Sequence, residues 1–318
     1  MTRYLELCRD VARRVADGGL APGDVLPGVR DLALAHATTA TTVSRAQRAL
    51  ADAGVLVLAD RRRARVAPDG PVAAARYLHA GRVLRLAGSD DPALDLLLRR
   101  HGDAVVPVPA AGSSAGLRAV AAGAADGAAI HLLHRDGTYN APFARALLRG
   151  RRPHLLHLWR REQGLIVPPG NPDGLAAAAD LAGVRTARRH HGTGTRVLLD
   201  RLLRDAGRDP DAVRGPELGS HLEVALAVAT GVVDAGLGAR AAARELDLDF
   251  VPLVTEDYDV VLPGDAVDAT APLVAELHDP AVRTAVEALG GYDAAGAGAL
   301  TDLDDALSPA APPRRSST

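Results

Sequence analysis

The sequence predicts a mixed fold: a small module of three helices and a two-stranded hairpin, followed by a larger α/β domain built from two similar halves. Apolar residues recur at helical spacing over residues 4–50, and two short apolar runs then flank an Arg-rich turn. From residue 83 onward, short apolar runs alternate with amphipathic segments in the order strand, helix, strand, which is typical of a parallel sheet. The same alternation begins again near residue 184.

The first module has identifiable start and stop signals. Pro27 suits the first position of a short second helix, and Thr38 or Thr39 can cap a third. The runs 55–58 and 64–66 predict the two strands of the hairpin. In the second domain we predict strands at 83–87, 105–108, 127–133, 155–159, 164–167, 184–187, 233–237 and 250–254.

The residue composition excludes several classes of enzyme. All 37 basic residues of this 318-residue chain are Arg. A phosphate-binding loop that ends in Lys, a Schiff-base lysine and the lysine of protein kinases each need an amine that Arg does not replace. The single Cys8 allows neither a disulfide nor a Cys-rich zinc site. We therefore expect no cofactor, no metal and no enzymatic activity.

The charge is unevenly distributed. Residues 1–68 hold 11 Arg against 7 acidic residues, a net charge of +4, and the remaining residues carry −6. A basic end suggests a polyanionic partner. The chain has no apolar run long enough to span a membrane and does not open with a secretory signal, so we expect a cytoplasmic protein without membrane contact.

The first module resembles the winged helix-turn-helix of GntR-type transcription regulators. The resemblance rests on the strings PGDVLPGVRDLA and TTVSRAQRALADAGVLV. It implies a DNA-binding role for Arg30 and Thr39, and a homodimer that binds a palindromic operator in double-stranded DNA. The chain departs from the family at Ala40, where Arg is common, and at its Arg-rich wing tip. The expected DNA contacts, including those of the exposed stripe of the third helix and of the wing, are Arg30, Thr39, Thr41, Ser44, Arg45, Arg61, Arg62 and Arg63.

Two helix openings rich in Ser, Thr and Gly stand out in the second domain, at 111–117 and 191–196. The free N–H groups and partial positive charge of a helix amino terminus attract anions. Each opening follows a strand, and ligands of open α/β sheets bind beyond the carboxyl ends of the strands. Two such loops facing each other would bind a small anion.

The second domain resembles the substrate-binding-protein-like domain of molybdate-type regulators over residues 82–262. Strings such as GSDDPALDLLLRR, REQGLIVPPGNPDGL and GTGTRVLLDRLL carry this resemblance. It implies the α/β fold of type II periplasmic binding proteins, with two lobes hinged near 160–165 and 254–260. Carried over by position, the ligand-binding residues are Ser89, Asp90, Ser113, Ser114, Tyr139, Asn140, Thr193, Gly194, Thr195, Arg196, His221 and Asp234. Asp90 departs from the His that is common in the family.

These observations predict a one-component regulator that binds operator DNA and senses a small, anionic effector, either a molybdate-like oxyanion or an organic acid. The predicted organisation is a DNA-binding domain at 1–68, a linker at 69–81 that can contain a short helix, a two-lobe domain at 82–308 and a disordered tail at 309–318. An enzyme or accessory protein of molybdenum-cofactor assembly is the alternative. A transport receptor is a third possibility, disfavoured by the missing signal sequence.

Overall fold

The computed structural model describes residues 3–59, 62–78, 83–101 and 104–304. The chain divides into two compact units. The first unit comprises residues 1–83 together with Asp268–Asp279, and the second comprises Leu84–Val267 and residues 280–318. The chain therefore passes between the units three times, after residues 83, 267 and 279.

The first unit has the predicted three helices and hairpin, with two further helices. Its elements are α1 (Arg3–Ala16), α2 (Val29–Ala35), α3 (Ala40–Asp52), β1 (Leu56–Val57), β2 (Arg65–Val66), α4 (Gly70–Leu78) and α11 (Ala271–Leu277). The strands β1 and β2 pair antiparallel. One hydrophobic core joins α1, α2, α3 and the hairpin through residues such as Leu7, Val11, Leu32, Val43 and Val66.

The domain boundaries differ from the prediction. The short helix that the linker prediction allowed is present as α4 at residues 70–78, but it packs against α1 through small buried side chains such as Ala74 and so belongs to the first unit. Helix α11 packs against α4, so the segment around it belongs to the first unit rather than to the two-lobe domain. Residues 79–82 and the predicted tail lie outside the described residues.

The second unit contains one large sheet flanked by helices. Its strands are β3 (Leu84–Gly88), β4 (Val105–Pro107), β5 (Gly127–Ile130), β6 (His154–Val167), β7 (Thr186–Arg189), β8 (Glu217–Leu218), β9 (Ala235–Ala239), β10 (Asp249–Leu262), β11 (Tyr292–Asp293) and β12 (Leu300–Asp302). Its α-helices are α5 (Pro92–His101), α6 (Ser113–Ala121), α7 (Ala141–Leu147), α8 (Gly194–Asp205), α9 (His221–Ala229), α10 (Arg240–Glu245) and α12 (Pro280–Ala288).

The strand order shows two lobes joined by two long strands. The order is β4-β3-β5-β10-β6-β9-β7-β8, and the pairs within each end are parallel. Strands β6 and β10, each of 14 residues, run antiparallel to each other through the middle of the sheet. The runs 155–159 and 164–167, predicted as separate strands, are both part of β6. The positions predicted as hinges, near 160–165 and 254–260, lie within these two strands.

Each lobe has its own hydrophobic core. The first lobe, built on β3, β4 and β5, is packed around residues such as Leu117, Val120 and Ile130. The second lobe, built on β7, β8 and β9, has cores on both faces of its sheet. Within the described part of the chain, no helix combines the length and apolar content needed to cross a membrane.

Candidate functional site

Helices α2 and α3 form the candidate DNA-binding surface of the first unit. Thr39 caps α3, its hydroxyl accepting a hydrogen bond from the N–H of Thr42. The inner face of α3 is buried, whereas Thr41 and Arg45 are exposed. The guanidinium of Arg45 lies 4.7 Å from the ring centroid of Tyr4, a cation–π contact that holds this side chain against α1. The charged end of Arg45 is therefore in contact with Tyr4 within the first unit.

The other predicted DNA contacts are distributed around this surface. Arg30 lies in the first turn of α2 and is exposed, while Ser44 is half-buried on α3. In the wing, Arg62 and Arg63 are exposed, and Arg61 lies outside the described residues. The exposed Arg side chains are free to reach phosphates.

In the second unit, a pair of glycines brings the end of β3 and the start of α6 into contact. A Cβ atom on Gly116 would lie 2.4 Å from the Cα of Gly88, so only glycine permits this approach. As a result the hydroxyls of Ser89 and Ser113 are 2.8 Å apart. Both serines are buried.

A polar chain leads from these serines to His131 and Glu256. The Nε2 atom of His131 lies 3.1 Å from the hydroxyl of Ser89, and its Nδ1 atom lies 3.0 Å from Glu256. Burial lowers the pKa of His131, so the imidazole is neutral at pH 7. Burial alone would raise the pKa of Glu256, but His131 and Arg161 lower it to about 2. Glu256 therefore accepts the Nδ1–H of His131, and Nε2 accepts the hydroxyl hydrogen of Ser89.

Arg161 holds the floor of the cleft between the lobes. Its fully buried guanidinium forms ion pairs with Asp91, at the end of β3, and with Glu256 of β10. It also lies 4.5 Å from the ring centroid of Tyr258. Gln163, two residues along β6, donates to the same carboxylate of Glu256 at 2.9 Å. The crossover strands thus place charged and fully buried side chains between the two lobes.

The opening of α8 reaches across the cleft to the first lobe. The N–H of Ser114 donates to the carbonyl of Gly192 at 3.1 Å. Gly194, the first residue of α8, lies against His131, where an added Cβ atom would be 2.6 Å from the backbone oxygen of His131. Thr193 caps α8 with its hydroxyl. The two predicted helix openings therefore meet, and the cleft is closed.

Four buried polar atoms at this closed cleft have no hydrogen-bond partner within the described ranges. They are Arg161 Nη2, Gln163 Oε1, Thr195 Oγ1 and His221 Nε2. His221 Nδ1 accepts the N–H of Ala239, which places the ring hydrogen on Nε2. Burial lowers the pKa of His221 well below its ordinary value, so this group is a neutral donor. Buried polar groups are seldom left unpaired in proteins, so these four atoms are candidate contacts for a ligand.

Asp90 and Tyr139 border the same region. Asp90 accepts hydrogen bonds from Arg189 and from the N–H of His221. It lines two cavities, one of about 610 Å³ with His221 and one of about 300 Å³ with Ser89. Tyr139 is half-buried, and burial together with the charge of Glu256 raises the pKa of its phenol.

Three residues predicted to bind the ligand form hydrogen bonds or ion pairs with other parts of the protein instead. The buried guanidinium of Arg196 is neutralised by Asp200 and Glu217, at 2.8 and 3.0 Å, so it offers no free charge to the cleft. The amide of Asn140 is bonded to Leu132 and Asp259 and holds the start of α7.

Asp234 precedes β9, at the opposite end of the strand from the cleft, and pairs there with Arg185. It is therefore not a cleft residue.

Sequence reasoning missed the residues of the crossover strands and their partners. Arg161, Gln163, Glu256 and Asp91 are buried and charged or polar, and Arg189 joins them from the end of β7. Arg161 and Gln163 belong to the polar run 160–163 within β6, and this run was an available signal. His131 is at the centre of the polar chain. Over residues 3–59, 62–78, 83–101 and 104–304, no group of three or more His, Cys, Asp or Glu could hold a metal ion.

Comparison with known proteins identifies both units. The model of the PBP superfamily domain matches residues 94–279, which is more than half of the chain. The chain belongs to the PBP superfamily. The model of the bacterial regulatory proteins of the gntR family matches residues 3–66. The predicted winged helix-turn-helix and the periplasmic-binding-protein-like α/β domain are thereby confirmed.

Two individual proteins show how far this similarity extends. The uncharacterized protein YvgK of Bacillus subtilis (strain 168) is 34% identical over 190 residues, which cover 57% of this chain and 62% of YvgK. The chain thus matches less than two thirds of the length of that relative. A putative phosphate ABC transporter substrate-binding protein from Clostridium perfringens, solved with bound phosphate, has 12% identity and a TM-score of 0.51. That match covers 66% of this chain and 98% of the other, and it shows the fold alone.

Proposed function

We propose that this PBP superfamily protein is a one-component transcription regulator that binds operator DNA as a homodimer and whose DNA affinity is set by a small acid bound in the cleft. The four unpartnered buried atoms at the cleft carry this proposal, because a regulator of this kind needs a ligand site that closes on its effector. The gntR-type unit supplies the DNA-binding function. We infer that the protein acts in the cytoplasm, where operator DNA is found.

The cleft favours an organic acid that also carries a hydroxyl or amine over a bare oxyanion. Arg161, Thr195 and His221 offer hydrogen-bond donors, which suit carboxylate oxygens. Gln163 Oε1 accepts only, and a fully deprotonated oxyanion would leave it unpaired. Two carboxylates, Asp91 and Glu256, share the single guanidinium of Arg161. The resulting excess of negative charge disfavours a dianion such as molybdate.

Thermal melts with a panel of compounds test the effector class. The panel contains lactate, malate, amino acids, sulfate, molybdate and tungstate. A compound that binds only the folded protein at 100 times its Kd stabilises it by about 2.7 kcal/mol. We expect a hydroxy or amino acid to give the largest shift.

A substitution then tests where the compound binds. Thr195→Val removes the unpartnered hydroxyl with little change of shape, and we expect it to weaken binding by about five- to tenfold. Thr230→Val, on an exposed position of the same lobe, is the control and should bind as the wild type does. Equal affinity in Thr195→Val and wild type would contradict the proposed site.

Phosphate contacts by the wing give a second prediction. Replacing Arg62 and Arg63 with Ala is expected to weaken DNA binding regardless of sequence, because the exposed guanidiniums release counterions from the phosphates. A plot of log Kd against log salt concentration, from fluorescence anisotropy, should lose about one unit of slope per contact removed. Arg118→Ala, an exposed Arg of the second unit, should leave the slope unchanged. A slope unaffected by the wing substitutions would remove the wing from the interface.

A second candidate function is suggested by the chain Ser89–His131–Glu256. Its order and its distances of 3.1 and 3.0 Å match a serine nucleophile, a histidine base and an orienting carboxylate. In such an enzyme Ser89 would attack the carbonyl of an ester or amide, His131 would pass the serine proton to the leaving group, and water would then hydrolyse the acyl-serine. A fluorophosphonate probe distinguishes the two functions by mass spectrometry: labelling at Ser89 supports the enzyme, whereas the regulator predicts an unlabelled protein.

A further inference from the structure

The carboxylate of Asp90 is bound by two groups that typically bind anions, a guanidinium and the amino terminus of a helix. One oxygen accepts a hydrogen bond from Arg189 Nη2 at 2.6 Å, and the other accepts the N–H of His221, the first residue of α9, at 3.1 Å. Arg189 is fixed by further bonds to the carbonyls of Leu218 and Gly219. A buried guanidinium and the amino terminus of a helix are both groups that bind carboxylates and phosphates.

The two sides of this contact belong to different lobes. Asp90 follows β3 in the first lobe, whereas Arg189 ends β7 and His221 begins α9 in the second. Burial alone would raise the pKa of Asp90, but the neighbouring His221 and Arg189 hold it below its ordinary range, so the side chain is ionised. The ion pair therefore ties the lobes together with a charge that the protein itself supplies.

The surroundings of Asp90 indicate that a ligand can reach the same place. Asp90 is partly exposed and lines both cavities at the cleft, while Arg189 is buried. His221 lines the larger cavity, and its buried Nε2–H has no partner among the residues that the structure describes. A donor of this kind, beside a guanidinium and a helix amino terminus, completes a site for an acid group.

We propose that Arg189 and the amino terminus of α9 form an acid-group site that Asp90 fills as a tethered carboxylate, and that the acid group of an effector competes with Asp90 for it. The inference deepens the proposed function, on which its regulatory meaning rests. The ligand chemistry is an anionic oxygen group, either a carboxylate or a phosphate. Displacement of Asp90 would replace a bond within the protein by a bond to the effector. The contact between the two lobes would then depend on whether the effector is bound.

Chemical rescue of a variant tests this site in the full-length protein. Asp90→Ala leaves the guanidinium of Arg189 buried without its carboxylate, and loss of one partner of a buried ion pair destabilises a protein. We expect the Tm of this variant in chloride to be lower than that of the wild type. Formate, which restores a carboxylate, and phosphate, added at constant ionic strength, should raise its Tm more than that of the wild type. The two anions distinguish a site for carboxylates from one for phosphates.

Two further variants show where the rescuing anion binds. Asp234→Ala is the matched control, because Asp234 pairs with the exposed Arg185 through the same kinds of atoms at the surface of the second lobe. Its Tm should respond to formate and phosphate as the wild type does. The double variant Asp90→Ala, Arg189→Gln lacks the guanidinium and should lose the rescue. Rescue that persists without Arg189, or that is no larger in Asp90→Ala than in Asp234→Ala, would overturn the proposal.

A direct titration follows the same site without relying on stability. Trp159, the sole tryptophan, is buried in β6 and packs against Tyr258, which bonds to the carbonyl of Ser89 next to Asp90. Its fluorescence provides a readout for titration with phosphate or formate. A tethered carboxylate acts at an effective concentration in the millimolar range, so Asp90→Asn should bind the preferred anion at least about tenfold more tightly than the wild type.

Equal or weaker anion binding by Asp90→Asn would overturn the inference. That outcome leaves the proposed function intact, because the proposed function is tested by the effect of the effector on DNA binding. Conversely, DNA binding that ignores every effector would remove the proposed function while leaving an anion site at Arg189.

Discussion

Replacing Arg161 with Ala is expected to lower the free energy of unfolding of the second unit by about 3–5 kcal/mol. The substitution would leave Asp91 and Glu256 fully buried without their shared guanidinium, and an unpaired buried charge is among the most costly defects in a protein. It would also remove the contact with the ring of Tyr258. Urea unfolding followed by the fluorescence of Trp159 measures the change in this unit.

The neighbouring Arg160 provides the control for that experiment. It lies on the opposite face of the same strand, is exposed and pairs with Asp257 only at 3.5 Å. Arg160→Ala should change the free energy of unfolding by less than about 1 kcal/mol, as expected of an exposed ion pair. A loss of similar size in both variants would show that Arg161 does not hold the cleft floor.

Gly194→Ala is expected to block closure of the cleft and to weaken effector binding by roughly ten- to a hundredfold. The new Cβ atom would lie 2.5 Å from the ring of His131 and 2.6 Å from its backbone oxygen, so the start of α8 could not approach the first lobe. Calorimetric titration with the compound that gives the largest melt shift measures the affinity.

Gly183→Ala is the matched control for closure. Gly183 is an exposed residue of the same lobe, and an added Cβ atom would have no neighbour within 4 Å. Wild-type affinity in Gly183→Ala together with the loss in Gly194→Ala would assign the effect to the contact with His131. Wild-type affinity in Gly194→Ala would mean that the effector is bound without this closure.

Patterns within short stretches of sequence predicted most of the fold. Helix caps such as Thr39 and the alternation of strands and helices depend on neighbouring residues, so they were visible in the sequence. The continuity of β6 was not, because the four polar residues 160–163 interrupt its apolar pattern, and the partners of Arg161 and Gln163 lie elsewhere in the chain. The assignment of α4 and α11 to the first unit depends on packing between distant segments, which local patterns do not contain.

The candidate site was predictable in its location but not in its chemistry. The helix openings at Ser113 and Thr193 do meet, through the hydrogen bond from Ser114 to Gly192. Which groups remain free there depends on pairings across the sheet. Arg196 and His221 were both predicted to bind the ligand, but Arg196 is neutralised by Glu217, whereas His221 presents a donor that is unpaired among the described residues. Which of these groups is paired depends on residues that are close in space but distant in the sequence.

The central claim, that an acid in the cleft sets the DNA affinity, is tested most directly by one binding measurement. Double-stranded DNA selected from random sequence by the wild-type protein is titrated at constant salt, with and without the panel compound that stabilises the protein most. We expect the compound to change the Kd for DNA by about 5- to 150-fold in the wild type. The same compound concentration should change the Kd of Thr195→Val much less. A compound that binds the cleft of the wild-type protein and leaves its Kd for DNA unchanged would contradict the account.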